Sequence, residues 1–159
     1  MRLWHKDLLY ILPERQLIAQ WRELSAIASN IKNKGTPNHI LVNPIMDYDL
    51  DHFITYAFLV KGILEHRKHK VSNSVWERIV SLKPDYKLVD YKNLFNGWHT
   101  YRYFLQCYFN LEEKYDRGGI ILGDYFRLAR LYNHYFDDEF RNCYNKWIDT
   151  VYVKESKLC

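Results

Sequence analysis

The stretch QLIAQWREL, Gln16 to Leu24, sets an arginine beside a glutamate at the border of an apolar stripe. Place the chain on a helix at about 100° per residue, with the stripe at zero. Gln16, Gln20 and Glu23 then share one flank, within roughly 60° of each other. Arg15, Arg22 and Ala26 fall near the back, away from the core. A carboxylate at the boundary of core and solvent can be partly desolvated and tuned for acid–base work. Arg15 and Arg22 are placed to meet phosphates. The plain alternative is a solvated helix face with an edge glutamate.

Other residues of catalytic type are less well placed. Glu65, His66 and His69 are metal-ligand types at close spacing, but Arg67, Lys68 and Lys70 crowd them and repel a cation. A basic helix end, able to touch a DNA backbone, is the better reading, and no metal site is expected. His39 and His52 stand alone. The aromatic run 98–109 has helical spacing and reads as core packing rather than a stacking platform. There is no Gly-rich phosphate loop, GxSxG or HExxH, which removes P-loop, α/β-hydrolase and zincin chemistry as first readings.

The elements that must position these groups are helical. Pro13 suits a first helical turn, and Leu17, Trp21, Leu24, Ala28 and Ile31 recur at helical spacing. That helix should end near Asn33, before the turn signal Gly35-Thr36-Pro37-Asn38. Residues 39–50 read as an irregular connection or a short helical turn. Asp49 or Asp51 can cap a second helix from about Leu50 to His69. Ser72 or Asn73 caps a third, Val75 to Leu82, and Pro84 to Asn96 reads as a long loop. Helices are expected over 98–115, stopped by Gly118-Gly119, then over Asp124 to Tyr132 and Asp137 to Val151. No segment alternates as a strand would. The expectation is an all-α chain, one compact single-domain helical bundle of about five to six helices over 1–159.

Composition sets outer limits. The chain has 159 residues, enough for one self-supporting core. Its net charge is +4; residues 1–92 hold 14 Lys+Arg against 10 Asp+Glu, and residues 93–159 hold 9 against 9. A mild excess in the first part favours a polyanion only modestly. Three scattered cysteines, Cys107, Cys143 and Cys159, make neither a disulfide framework nor a zinc site. Without a signal peptide or a long apolar run, the expected place is the reducing cytoplasm, nucleoid-associated in a bacterium or phage, with no membrane partner.

The opening MRLW, followed about twenty residues later by QLIAQWREL, resembles the pyrimidine-dimer DNA glycosylases of the phage endonuclease-V type. Those proteins begin with a free α-amine and a basic residue and carry a similar xLxAxxRE helix. The resemblance is tight over residues 1–24 and looser to about 75; residues 98–159 are extra helices of unassigned role. It implies a compact all-α fold and excision of ultraviolet-induced pyrimidine dimers followed by strand cleavage, with no cofactor. The α-amine would attack the anomeric sugar carbon and form an imine, and elimination would break the phosphodiester on the 3′ side. Glu23 matches the catalytic glutamate, Arg22 a DNA-contacting residue, and Arg2 the basic residue after the nucleophile. An unperturbed α-amine titrates at about 8, so a useful fraction is neutral and nucleophilic at physiological pH. The implied partner is damaged double-stranded DNA, bound by a monomer through Arg2 and Arg22, with Arg15 added by its place on the helix.

This chain departs from the pattern twice. The phage enzyme loses its methionine and uses a small second residue; here the large Arg2 follows, so the attacking amine would be that of Met1. The phage pattern also has an arginine three residues after the glutamate, where this chain has Ala26; that contact is either missing or supplied elsewhere, by Lys32 or Lys34. Two alternatives stay open: a glycosylase or lyase for another lesion, and a non-catalytic helical module that binds nucleic acid or protein on the same scaffold.

Overall fold

The computed structural model describes residues 1–134. Every regular element among them is helical, and none is a strand. An extended arm, residues 1–5, leads into a 3-10 helix, Lys6–Ile11. Helix α1 follows over Glu14–Lys34, then a short 3-10 turn over Asn43–Asp47, α2 over Leu50–His66, α3 over Asn73–Val80 and α4 over Tyr101–Asp116. Residues 122–134 are also helical. The helix expected over Asp137 to Val151 lies outside the described residues, as do Cys143 and Cys159.

The caps explain most boundaries. Pro13 stands at the N-cap of α1 rather than inside its first turn. The helix runs to Lys34 and stops at Gly35, whose φ of 69° is the left-handed value that glycine adopts without strain. Asp49 caps α2, its carboxylate accepting from the Asp51 N–H at 2.8 Å. Ser72 precedes α3, which ends two residues earlier than its apolar spacing suggests. Helix α4 starts at Tyr101, three residues after the expected Trp98, because Thr100 takes the N-cap and 91–98 coils into turns.

The expected apolar face of α1 is the observed one. Leu17, Trp21, Leu24, Ala28 and Ile31 are all buried, and α1 packs against α2 and α3. Gln20 corrects the helix mapping: instead of lying on a half-exposed flank it is fully buried. Its Oε1 accepts from the Trp4 N–H at 2.9 Å, and Tyr56 Oη lies 3.1 Å from the same oxygen while donating to Trp4 O at 2.8 Å. A buried amide is tolerated where a neighbouring backbone needs its oxygen. This polar knot ties the arm to α1 and α2. The aromatic run of α4 turns Phe104, Cys107 and Tyr108 inward, as core packing requires.

Candidate active site

Five groups converge where the arm crosses α1. The Met1 α-amine lies 3.7 Å from Glu23 Oε1, and the Arg2 N–H donates to Glu23 Oε2 at 3.1 Å. The two carboxylate oxygens thus face two consecutive nitrogens of the arm. Met1 and Glu23 are 21% and 32% exposed, which leaves both open to a ligand yet shields them from bulk water. They sit in a cleft of about 330 Å³. Helix α1 contributes Arg15, Gln16, Ala19 and Glu23 to it; the arm contributes Met1, Arg2 and Trp4. Leu41, from the loop after α1, and Asn110 and Lys114, from α4, complete the lining. One carboxylate against an amine, two arginines and a lysine makes the cleft net basic, suited to an anion.

The arm is held from both sides. On the α1 side are the bonds to Glu23 and Gln20. On the other, Tyr103 Oη donates to Leu3 O, and Arg2 Nη1 reaches Gln106 O at 3.5 Å and Cys107 Sγ at 3.9 Å. The His5 ring stacks on His99 with centroids 5.1 Å apart. His5 Nδ1 accepts from the Asp7 N–H at 3.3 Å, so its Nε2 carries the hydrogen and donates to His99 O at 3.0 Å. His99 Nδ1 accepts from the Lys6 N–H at 3.0 Å. Burial lowers both imidazoles: His99 falls to about 2, with the His5 ring and the Lys6 ammonium adding to the effect, and His5 also titrates below the usual histidine value. Both rings are neutral at physiological pH, which this pattern of bonds requires. Lys6 Nζ meets the carbonyls of Tyr91, Lys92 and Leu94 at 2.7, 3.1 and 3.2 Å.

Of the residues singled out by sequence, Met1, Arg2, Arg15 and Glu23 meet in one cleft. Arg22 does not. It points to the other side of the exposed ridge of α1 and lines a second cleft of about 410 Å³ with His69 and Lys70. The segment Glu65 to His69 is committed elsewhere: Lys61 pairs with Glu65, and His69 Nε2 lies 3.5 Å from a Glu14 oxygen. Arg67 turns inward and donates to Leu12 O at 2.7 Å and to Tyr10 O, closing the 3-10 helix. No group of three or more His, Cys, Asp or Glu among the described residues could hold a metal ion, and none of their helices is long and apolar enough to cross a membrane. His39 and His52 each accept a backbone N–H through Nδ1, from Leu41 and Phe95 respectively. Sequence reasoning missed Leu41, Asn110 and Lys114 in the cleft and Tyr103 and His99 behind it. None carries a local signal, since their partners stand far away in the chain, as Arg2 and Cys107 do at a separation of 105 residues.

No curated protein and no solved structure matches the chain. A family model does, over residues 1–77. Residues 78–134, with α4 and its share of the cleft, lie beyond that match. The matched family is pyrimidine dimer DNA glycosylase, and the match takes in the whole segment that carries Met1, Arg2, Arg15, Arg22 and Glu23.

Proposed function

We propose that the protein is a DNA repair glycosylase that excises pyrimidine dimers from double-stranded DNA and then cleaves the strand as an AP lyase. The observation that carries this reading is the Met1 amine 3.7 Å from Glu23 Oε1 inside a basic cleft. Glu23 is the one carboxylate among the described residues that line it, and the cleft's cations suit a polyanionic substrate.

The chemistry follows from these positions. The neutral Met1 amine attacks C1′ of the damaged nucleotide, and the glycosidic C–N bond breaks, its electron pair leaving with the base. Positive charge develops on the sugar, and the Glu23 carboxylate stabilises it. Glu23 then takes a proton from the attacking nitrogen and passes it to O4′ as the C1′–O4′ bond breaks, so the sugar ring opens and an imine joins Met1 to C1′. Glu23, ionised again, takes a proton from C2′ and this drives elimination of the 3′ phosphate: a C1′=C2′ enamine forms, the C3′–O bond breaks and the phosphate leaves with its electron pair. Water releases the enzyme from the imine. The separation of 3.7 Å is longer than a hydrogen bond. Such contacts tighten when substrate is bound.

The remaining cations bind the DNA. Arg15 and Lys114 line the cleft and meet the strand that carries the lesion. Arg2 spends one N–H on Gln106 O and offers others to a phosphate. Arg22, on the opposite side of the ridge, meets phosphates outside the cleft.

The test is borohydride trapping. Untagged protein is incubated with duplex DNA holding one thymine dimer, reduced, and the adduct mapped by mass spectrometry. A secondary amine on Met1 is expected. An adduct on a lysine would refute the assigned nucleophile. No adduct on dimer or abasic-site DNA would favour a module that only binds.

A further inference from the structure

Beside the cleft stands an apolar tip. Ile40 is 82% exposed and Leu41 46%, at the crown of the loop between α1 and the short 3-10 turn. The next residue, Val42, is fully buried, and the turn's other anchor, Pro37, is buried too. The crown is therefore not a frayed segment with nowhere to hide its side chains. It is braced from within. The His39 N–H donates to Asn43 Oδ1 at 3.1 Å, and the Leu41 N–H to His39 Nδ1 at 3.3 Å. The Val42 and Asn43 N–H groups both donate to His39 O at 2.9 Å. Asn38 takes a left-handed φ of 59° to start the turn, and Asn30 Nδ2 donates to Pro37 O at 3.0 Å to dock it on α1. A stiff turn thus presents two aliphatic side chains to water.

Its position gives the tip a use. Leu41 lines the cleft that holds Met1 and Glu23, and with Ile40 it also lines the neighbouring cleft beside Trp98 and Arg102. The tip is flanked by cations, Arg15 and Lys114 on one side and Arg102 on the other. The surface that matches a rigid aliphatic point among cations is a base step of duplex DNA, an apolar stack between two anionic backbones. Aliphatic wedges of this kind enter base steps, unstack them and kink the duplex. A lesion buried in the stack must be opened before an amine can reach C1′.

On the proposed glycosylase reading, we infer that Ile40, backed by Leu41, is a wedge that inserts into the base stack at the lesion and opens it toward Met1. Opening is needed only where there is a stack. The wedge therefore matters for duplex substrates and not for single strands.

The test uses the full chain with Ile40→Ser and Ile40→Leu; Ile40 is too exposed for either change to disturb the core. Single-turnover rates are measured on duplex DNA with one thymine dimer and by borohydride trapping on a single-stranded abasic oligonucleotide. 2-Aminopurine next to the dimer reports unstacking by its fluorescence. For Ile40→Ser, the duplex rate should fall about tenfold or more, since unstacking costs a few kcal/mol per step. The 2-aminopurine signal should be lost, trapping on the single strand should hold, and Ile40→Leu should keep all three. Equal duplex rates for the Ile40→Ser variant and the wild-type protein, or an equal loss on both substrates, would overturn the wedge. A variant defect confined to binding of anionic lipid vesicles would overturn it in favour of a membrane-facing tip. Failure of the wild-type protein on both substrates would instead bring down the glycosylase reading, and the wedge with it.

Discussion

The main-chain N–H of Arg2 donates to one oxygen of Glu23 at 3.1 Å while the other oxygen faces the Met1 amine at 3.7 Å. One carboxylate is thereby aligned by the residue that follows the amine it faces. The amide bond between Met1 and Arg2 restricts where the amine can go, and α1 restricts where Glu23 can go. Together they place the pair before any substrate arrives, which is how a site avoids reorganisation during the reaction.

Glu23→Gln keeps an acceptor for the Arg2 N–H and removes only the charge and the proton-accepting oxygen. Dimer excision should fall by about a hundredfold or more, the scale of general acid–base contributions. The thermal midpoint should barely move, because Glu23 lies at the rim rather than in the core. Single-turnover excision and a melting curve on the same sample check this; normal turnover in the Gln protein would remove Glu23 from the mechanism.

Tyr103→Phe deletes the hydroxyl that donates to Leu3 O and leaves the ring packing in place. The arm then loses one of its tethers on the α4 side, two residues from Met1. Turnover should drop about tenfold to a hundredfold, the cost of a misplaced reacting group, with KM little changed. A rise in KM at unchanged kcat would show that Tyr103 serves binding instead.

Stability should weaken in acid. Burial lowers His99, to about 2, and also lowers His5. As pH falls below the unfolded histidine value of about 6.5, the unfolded chain takes up protons that the folded rings refuse. Stability is therefore full above that pH and declines below it, by about 1.4 kcal/mol per pH unit for His99, with His5 adding in the same direction. His99→Asn retains an acceptor for the Lys6 N–H and removes one of the two titrations. Urea midpoints between pH 7 and 5 should follow a shallower slope in the Asn protein; an unchanged slope would contradict the neutral buried pair.

Arg15→Gln and Arg22→Gln should each weaken DNA binding across sequences. Each should also flatten the dependence of log K on log salt by about 0.9. Arg15 lines the Met1 cleft and Arg22 the cleft on the far side of the ridge, so the two effects should add. Filter binding or fluorescence anisotropy over a salt series measures both. A variant with the wild-type slope has lost no phosphate contact.

The amino-acid sequence by itself determined the helical class, the buried face of α1 and the place of Glu23 at its edge. Helical periodicity and caps are local properties, written in residues three and four apart and in single residues such as Gly35 and Asp49. The order of residues also put Glu23 and the amine about twenty positions apart, a spacing whose meaning came from resemblance. Only the tertiary structure decided that Gln20 is a buried knot, that Arg22 faces away from Arg15's cleft, and that Lys114 and Leu41 belong beside Met1. It alone paired His5 with His99 and Leu3 with Tyr103. These pairings join residues about a hundred positions apart, and their energy appears only once the chain has closed. A single side chain carries no sign of the distant surface that it will meet.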